Sequence, residues 1–405
     1  MKPFLHAHAT HPDAHMALAL AAVQIEAQRQ LEPHPMQPTL GWLYFNESFV
    51  PQAEALLAEL RQRWPGVAWV GASGVGVCAN GVEYFDEPAL ALMLADLPVE
   101  QFRLFSGTQP LNRWPADLAQ VHADGETPDF QELLTELAGK TSSGYLFGGL
   151  ATGGRTPQAT PAVHLADGVW RGGLSGVAFA NAAVGQPGLR VISRVSQGCQ
   201  ALGPERRVTA CDGQLVTRLD DRPALDCLLE DLALPVLTPT GNLREAVPRL
   251  RRTLVGIKRS GMTSKSDPTS KAGNYGAEVL VRHLVGIDPQ RRGIAVGDRL
   301  EVGQALSFCE RNPEAARRDL LRICTELRSE AEDISPADGG SSIAGAIYIS
   351  CAGRGGPHFG APSAEAKWVQ HGLGDVPLVG FFAGGEIAHA NLYGYTGVLT
   401  VFLRT

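Results

Sequence analysis

The feature that most constrains the fold is an order of segments that occurs three times along the chain. In each occurrence a short apolar run is accompanied by a helical pattern and by a second apolar run that ends in glycine. Helices of this length join parallel strands through right-handed crossovers, and short hairpins between them add antiparallel neighbours. The sequence therefore predicts an α/β fold of the mixed α+β kind, with repeated β-α-β-β units that form mixed sheets with glycine-rich turns at strand ends.

The three occurrences follow from the spacing of apolar residues. Each crossover helix has apolar residues three and four positions apart, as one face of a helix requires. Further strands are expected at 82–85, 90–94, 174–180 and 395–403. The predicted order of strand, helix and strand is 40–45, 53–64 and 67–74 in the first unit, 102–105, 130–137 and 145–149 in the second, and 345–351, 363–373 and 376–382 in the third.

A domain boundary is expected near Asp220, because a polar turn ending in Pro223 precedes a new helical pattern. A chain of 405 residues is long enough for two or three domains. We predict two domains, at 1–220 and 221–405.

Composition excludes several classes of partner. The net charge is −7 and the basic residues are scattered, so we expect neither nucleic acid nor an anionic membrane as a partner. No apolar run approaches the roughly 20 residues that span a bilayer. Seven widely spaced cysteines, an odd number, argue against a disulfide framework and fit reduced thiols in the cytoplasm. We predict a cytoplasmic protein without a cofactor.

The N-terminal segment has two further features. The apolar stretch 16–23 lacks the basic leader of a signal peptide, and Leu20, Val23, Ala27 and Leu31 instead have the spacing of one helix face. Four histidines in this segment could bind a transition metal, but no cysteine or carboxylate set accompanies them. We favour a polar entry into the first helix over a metal site, and we predict no metal. The histidines are His6, His8, His11 and His15.

Signatures of known catalytic sites are missing from the sequence. It contains neither a phosphate-binding P-loop nor the H-E-x-x-H motif of metalloproteases. Ser73 and Ser175 each lie within a Gly-x-Ser-Gly sequence, but the last glycine of the Gly-x-Ser-x-Gly nucleophile elbow is missing in both. We interpret both as serines of a turn or strand, and we keep Ser73 among the candidate ligand-binding residues.

The strongest local constellation is the glycine-rich turn that begins at Cys351. Cys351 ends a buried strand, three residues before Arg354. A guanidinium or a group of amides facing the sulfur would favour a reactive thiolate, whereas most buried cysteines are inert. Arg354 lies between Gly353 and Gly355, and a guanidinium in a glycine-rich turn usually binds a planar anion, either a carboxylate or a phosphate.

A second constellation follows the next strand. Glu386 comes directly after Gly385, and Asn391 and Tyr395 follow. Glu386 could accept an amine of a ligand, or it could form a salt bridge with Arg354. An Arg and a Glu near backbone amides suit a zwitterion such as an amino acid, but they do not supply a pair of base and nucleophile.

These motifs resemble those of the FIST family. The C-terminal run of 351–355, followed by 376–387 and 392–396, is similar to the FIST C domain. The glycine run of 70–76 with 81–83 is similar to the FIST N domain, and shorter matches extend the resemblance over nearly the whole chain. Residues at positions that match the C-terminal motif are Cys351, Gly353, Arg354, Gly355, Gly385 and Glu386.

The resemblance implies paired domains that sense small ligands, amino acids or related metabolites, as in signal-transduction proteins and in F-box proteins that recruit ubiquitination substrates. We therefore expect a binding protein for a small polar metabolite, and we consider a signalling protein as a second partner. The alternatives are an enzyme that uses Cys351 as its nucleophile and a protein-interaction scaffold. The candidate ligand-binding residues are Cys351, Gly353, Arg354, Gly355, Gly385, Glu386, Asn391, Tyr395 and Ser73.

Overall fold

The computed structural model describes residues 4–30, 37–154, 161–181, 188–235, 243–258, 279–334 and 343–404. These residues belong to two compact units. The larger unit combines Met1–Val195 with Leu320–Thr405, and the smaller unit is Ser196–Asp319.

The described residues form eight α-helices, two short 3₁₀ helices and 26 strands. The helices are α1 (Ala14–Arg29), α2 (Ala53–Arg63), α3 (Phe130–Ala138), α4 (Ala224–Asp231), α5 (Leu243–Arg252), α6 (Pro313–Ile334), α7 (Gly356–Phe359) and α8 (Ala364–Leu373). The strands are β1 (Leu5–Thr10), β2 (Leu40–Asn46), β3 (Ala68–Gly74), β4 (Gly76–Ala79), β5 (Val82–Tyr84), β6 (Ala89–Ala95), β7 (Phe102–Phe105), β8 (Ala116–Asp124), β9 (Thr141–Ala151), β10 (His164–Ala166), β11 (Val169–Trp170), β12 (Leu174–Phe179), β13 (Leu189–Gln197), β14 (Cys199–Ala201), β15 (Arg206–Asp212), β16 (Leu215–Leu219), β17 (Arg222–Pro223), β18 (Leu254–Lys258), β19 (Val279–Asp288), β20 (Gly293–Val296), β21 (Ala305–Arg311), β22 (Ile343–Cys351), β23 (Leu378–Ala383), β24 (Glu386–Ala388), β25 (Asn391–Tyr393) and β26 (Thr396–Arg404).

The larger unit contains three six-stranded sheets with the same internal plan. Sheet I has the order β11-β10-β3-β2-β6-β1, sheet II the order β25-β24-β9-β8-β12-β7, and sheet III the order β5-β4-β23-β22-β26-β13. The central pair of each sheet is parallel and is joined by a crossover with helix α2, helix α3 or helices α7 and α8. Strand order and register thus relate the three sheets by a pseudo-threefold repeat.

The sheets exchange hairpins in a closed cycle. The hairpin β4–β5 follows β3 of sheet I but pairs with β23 of sheet III. Likewise β10–β11 follows β9 of sheet II and pairs with β3, while β24–β25 follows β23 and pairs with β9. Each sheet is therefore completed by residues of another repeat, so the repeats cannot fold as separate modules.

Three equivalent hydrogen bonds close this cycle at the points where the chain passes from one sheet to the next. In each bond an amide just after one parallel strand donates to a carbonyl near the end of another. We call this set the crossover ring. Its bonds are Val75 N to Phe382 O at 3.0 Å, Thr152 N to Ser73 O at 3.0 Å, and Gly384 N to Leu150 O at 3.1 Å.

The inner faces of the sheets meet in a shared core. Trp42 of sheet I donates its indole N–H to Gln120 of sheet II at 2.7 Å. The rings of Tyr44 and Phe381 stack with centroids 5.0 Å apart, which joins sheets I and III. The outer faces are covered by helices, with α1 and α2 on sheet I, α3 on sheet II, and α6 and α8 on sheet III.

Helix α1 corrects one detail of the predicted N-terminal segment. The helix is present, but it buries Ala14, Leu18 and Ile25, whereas Leu20 and Val23 are 45% and 68% exposed. The predicted apolar face therefore points away from the core; Leu31 lies outside the described residues. The buried face of α1 consists largely of alanines, whose small side chains allow the helix to pack closely against the sheet. The prediction chose the opposite face because its side chains are larger and more apolar.

The smaller unit is built around a closed sheet. Strands β21, β15, β16, β20, β19 and β18 pair in that order, and β18 pairs back with β21, entirely antiparallel. Helices α4 and α5 contribute to its apolar core. Within it Arg206 and Asp231, nearly buried, form an ion pair.

The predicted mixed α/β class is confirmed, and so are the first and third of the predicted parallel crossovers. In the second predicted crossover, the first strand was wrong. The predicted strand 102–105 is the edge strand β7, and the parallel partner of β9 is β8, which was not predicted. The apolar spacing of β8 is interrupted by Gln120 and His122, which hydrogen-bond in the core.

The domain boundary at residue 220 stays a prediction about sequence domains, and the compact units follow a different division.

Gly380 tests how closely the parallel strands must approach. A Cβ at Gly380 would lie 1.7 Å from the carbonyl oxygen of Tyr348, and Gly71 and Gly148 stand at the corresponding places of the other sheets. We expect Gly380→Ala to lower the free energy of unfolding by about 3 kcal/mol or more, measured by chemical denaturation. Gly107→Ala is the control, because a Cβ there would meet no described atom within 4 Å. Equal stability of the two variants would contradict this account.

Candidate functional site

The candidate site lies at the carboxyl ends of the parallel strands β22 and β23. Cys351 ends β22, and the turn that follows it carries Gly353, Arg354 and Gly355 before α7 begins. Ala383 ends β23 and leads through two glycines to Glu386, the first residue of β24. Since parallel strands end at one edge of a sheet, both predicted constellations come to the same place, where ligands of α/β proteins bind.

Glu365, in the first turn of α8, is the centre of the hydrogen bonding below this edge. It is fully buried and accepts four hydrogen bonds. The donors are Tyr348 Oη at 2.7 Å, Ser350 Oγ at 2.9 Å, Arg354 Nε at 2.7 Å and Gly355 N at 2.9 Å. A buried carboxylate with a guanidinium and three further donors is well compensated, so Glu365 holds the turn in place.

Arg354 therefore has a partner that the sequence analysis did not consider. Its side chain is 1% exposed and forms an ion pair with Glu365, and Nη1 also donates to the carbonyl of Tyr395 at 3.4 Å. Glu386 lies close enough for its charge to act on Arg354 as well. The acidic residue in the first turn of the predicted helix 363–373 was a usable signal for Glu365, because carboxylates favour helix N-termini.

Glu386 is the second buried carboxyl group of the site. Its Oε2 accepts hydrogen bonds from the backbone N–H of Thr396 at 3.1 Å and from the Thr396 hydroxyl at 2.7 Å. The Cys351 thiol lies beside the carboxyl group and favours its ionised form, but no donor among the described residues reaches Oε1 with hydrogen-bond geometry. We call Oε1 the open oxygen. Burial raises the pKa of Glu386 to about 8, against the effects of Thr396 and Arg354.

The Cys351 thiol is not in the state that a nucleophile needs. Burial and the neighbouring charge of Glu386 raise its pKa to about 12, although the amides of Gly353 and Tyr395 and the charge of Arg354 act in the opposite direction. The thiol is therefore protonated at neutral pH, and a protonated thiol is a weak nucleophile. The geometry favours the inert alternative for Cys351.

Partly exposed residues, here called the rim, adjoin the buried groups of the site: Cys351 lies beside Glu386, and the carbonyl of Tyr395 accepts a hydrogen bond from Arg354. Cys351, Gly353, Gly394 and Tyr395 are each partly exposed, whereas Glu386 is fully buried. A Cβ at Gly394 would meet no described atom within 4 Å, so this part of the rim is open. The open oxygen thus belongs to a buried carboxyl group whose neighbour Cys351 is partly exposed.

A residue from another repeat supports the turn. Glu83 of the exchanged hairpin β4–β5 accepts hydrogen bonds from Gly356 N at 2.6 Å and from Ala366 N at 2.8 Å. These amides belong to the first turns of α7 and α8, where a carboxylate is favoured. Burial nevertheless raises the pKa of Glu83. The hairpin exchange therefore anchors the turn that carries Arg354.

The remaining predicted residues occupy different places. Asn391 begins β25 and is nearly buried, and Gly385 lies so close to Leu392 that a Cβ would approach it to 2.9 Å. Ser73 is buried in β3 and donates to the carbonyls of Thr152 and Val163. The Ser73 hydroxyl therefore reinforces the crossover ring, as expected for a serine of a strand.

The N-terminal histidines are spread over two elements. His8 lies in β1, 2.7 Å from the hydroxyl of Tyr84, and His15 lies in α1, 2.7 Å from Glu59. Over the described ranges, no three His, Cys, Asp or Glu side chains are grouped to hold a metal ion. In the part of the chain that the structure covers, each helix is too short or too polar to cross a membrane.

A buried serine and histidine form a pair that the sequence analysis missed. Ser175 Oγ lies 2.6 Å from His164 Nδ1, and His164 Nε2 lies 3.2 Å from the carbonyl of Gly172. Burial lowers the pKa of His164 to about 4, so the ring is neutral. Both residues are at most 1% exposed, and each has a hydrogen-bond partner within the core. The pair satisfies polar groups of the core.

Removing the guanidinium tests the role of Arg354 as a support. We expect Arg354→Ala to lower the free energy of unfolding by about 3 to 5 kcal/mol, because it leaves the Glu365 charge buried without its counter-ion. Chemical denaturation at pH 7 measures the change. Arg328→Ala, at an exposed ion pair of α6, is the control and should cost less than about 1 kcal/mol. A similarly small loss in Arg354→Ala would refute the supporting role.

The burial of Glu386 predicts a pH dependence of stability. Its pKa is about 8 in the folded protein, above the usual value near 4.3 in an unfolded chain. Between these values the folded state holds a proton that the unfolded state has released, so stability falls as pH rises. We expect Glu386→Gln to gain about 2 kcal/mol relative to the wild type between pH 5.5 and 7.5, in denaturation series at both pH values. If the free energies of unfolding of the wild type and of Glu386→Gln changed with pH in parallel, the pKa of Glu386 would not be raised in the folded protein.

Comparison with known proteins agrees with this arrangement. A model of the FIST N domain matches residues 39–222, and a model of the FIST C domain matches residues 224–389. An uncharacterized protein of Mycobacterium tuberculosis is 32% identical over 412 residues, which cover 97% of this chain and 98% of the relative. An uncharacterized protein of Mycobacterium bovis is 30% identical over 417 residues and 97% of each chain. FIST domains are in general sensory domains of signal transduction. The chain belongs to the FIST family, as the motifs around Cys351 and Glu386 indicated.

Proposed function

We propose that this protein is a cytoplasmic sensor that binds a small polar metabolite, an amino acid or a related compound, at the carboxyl ends of β22 and β23. The observation that carries the proposal is the open oxygen of Glu386. It belongs to a fully buried carboxyl group that lies beside the partly exposed Cys351. A buried polar atom without a partner costs free energy, and a bound ligand that donates a hydrogen bond removes that cost.

The surroundings of Glu386 suit a small ligand. The edge combines the carboxyl ends of two parallel strands with a turn at Gly394, where a Cβ would meet no described atom within 4 Å. The position of the Arg354 turn is fixed by Glu365 and Glu83. A preformed site loses little conformational entropy when the ligand binds.

The chemistry of the site favours a binding protein over an enzyme. The raised pKa of Cys351 keeps its thiol protonated, which removes the support for a cysteine nucleophile. The general role of FIST domains in sensing supports the same choice. We propose the cytoplasm as the location because seven widely spaced cysteines suit a reducing compartment. A signalling protein would then be the partner that receives the ligand-dependent change.

Cys351 is partly exposed, so even the slow alkylation of its protonated thiol provides a reporter for ligand binding at this site. We expect at least one of the twenty standard L-amino acids to bind in isothermal titration calorimetry, and to slow alkylation of Cys351 at least fivefold. Cys211 is the internal control, because it is also partly exposed but lies in the smaller unit. Its alkylation rate should not change.

Two results would count against the proposed site. One is that none of the amino acids, and none of the related amines and hydroxy acids, binds. The other is that a ligand binds without protecting Cys351, which would place the binding site elsewhere.

A further inference from the structure

The charges of the site leave one carboxyl group without a counter-ion of its own. Arg354 carries the positive charge and Glu365 the nearest negative charge, and the two form a buried ion pair. Glu386 adds a second carboxyl group that interacts with the same guanidinium. Of the other titratable groups near the site, Glu83 accepts hydrogen bonds from the amides of Gly356 and Ala366, and Tyr348 and Cys351 are protonated at neutral pH because burial raises the pKa of each. One guanidinium thus serves two carboxyl groups.

The site is therefore better suited to an ammonium group than to a second carboxylate. A ligand carboxylate would enter beside the Glu365 carboxylate, so repulsion from Glu365 would offset its attraction to Arg354, and Glu386 would add to this repulsion whenever it is ionised. An ammonium group brings a positive charge and three N–H donors, which can satisfy the open oxygen. It would add the counter-ion that the second carboxyl group lacks.

We propose that the ligand is recognised through a protonated amine, which donates a hydrogen bond to the carboxylate of Glu386. Arg354 holds the turn in place through its ion pair with Glu365 and does not bind a ligand carboxylate. This inference rests on the proposed function and specifies its ligand class. Primary amines without a carboxylate should then bind as well as amino acids, whereas 2-hydroxy acids should not bind.

Binding of an amine should be coupled to proton release. Without ligand, Glu386 holds a proton near neutral pH because burial raises its pKa to about 8. The groups that face it are Cys351, Thr396 and Arg354. A ligand ammonium stabilises the ionised carboxylate, so the proton leaves when the ligand enters. Affinity for an amine should consequently rise between pH 6 and pH 8.

The alternative is a protonated Glu386 that donates a hydrogen bond to a ligand carboxylate. The two modes respond differently to Glu386→Gln, because the amide can still donate a hydrogen bond but carries no negative charge. The substitution should therefore weaken recognition of an ammonium and preserve recognition of a carboxylate.

The test uses matched ligands and matched variants of the full chain. The probes are the twenty L-amino acids, the corresponding decarboxylated amines and the corresponding 2-hydroxy acids, measured by calorimetry at pH 6 and pH 8. Glu386→Gln is compared with Glu332→Gln, which removes the same charge from an exposed position on α6. Calorimetry in two buffers of different ionisation enthalpy counts the protons released. Alkylation of Cys351 shows whether each ligand occupies the site.

We expect an amino acid and its amine to bind within about tenfold of each other, and the hydroxy acid to bind at least about 100-fold more weakly. Glu386→Gln should weaken amine binding at least about 30-fold, Glu332→Gln should not, and about one proton should be released per amine bound at pH 7. A hydroxy acid that protects Cys351 and binds as tightly as the amino acid overturns the amine preference but leaves the site intact. Failure of every probe overturns the site itself.

Discussion

The structure depends above all on the crossover ring. Each of its three bonds joins the end of one parallel strand to the start of a crossing segment from another repeat. Because the crossing segments become hairpins of neighbouring sheets, the ring fixes all three sheets at once. The close approach at Gly71, Gly148 and Gly380 allows the parallel strands to reach this point. The candidate site is therefore placed by long-range pairing rather than by its own turn.

That dependence is visible in the residues that hold Arg354. Glu365 comes from the crossover of sheet III, whereas Glu83 comes from a hairpin that follows sheet I in the chain. Both carboxylates bind amides at the start of α7 or α8 and leave the turn little freedom. A local sequence motif thus acquires a fixed geometry from a residue more than 270 positions away. This explains why the two strand-end constellations form one site.

The sequence was informative about periodicity and less informative about partners. Two of the three crossovers followed in full from apolar spacing, and the strand-end glycines marked the edges where parallel strands finish. The strand β8 was missed because Gln120 and His122 interrupt its apolar pattern, although both are buried and hydrogen-bonded. The Glu365 ion pair was missed although Glu365 lies only 11 residues after Arg354, because a single sequence does not show which acid the turn brings to the guanidinium. The contact of Glu83 with the same turn crosses repeats and is a property of topology.

The contrast between the two carboxyl groups is the strongest argument for a ligand. Glu365 and Glu386 are both fully buried within one site, but four donors satisfy the first and two donors reach only one oxygen of the second. A carboxyl group used only for support would be expected to resemble Glu365. Burial raises the pKa of Glu386, so the stability of the folded protein falls as pH rises, and without a ligand this group destabilises the folded state. A ligand that donates a hydrogen bond to the open oxygen would remove this destabilisation, and the free energy regained would contribute to binding. An amine can donate this hydrogen bond and also carries the charge opposite to that of the carboxylate.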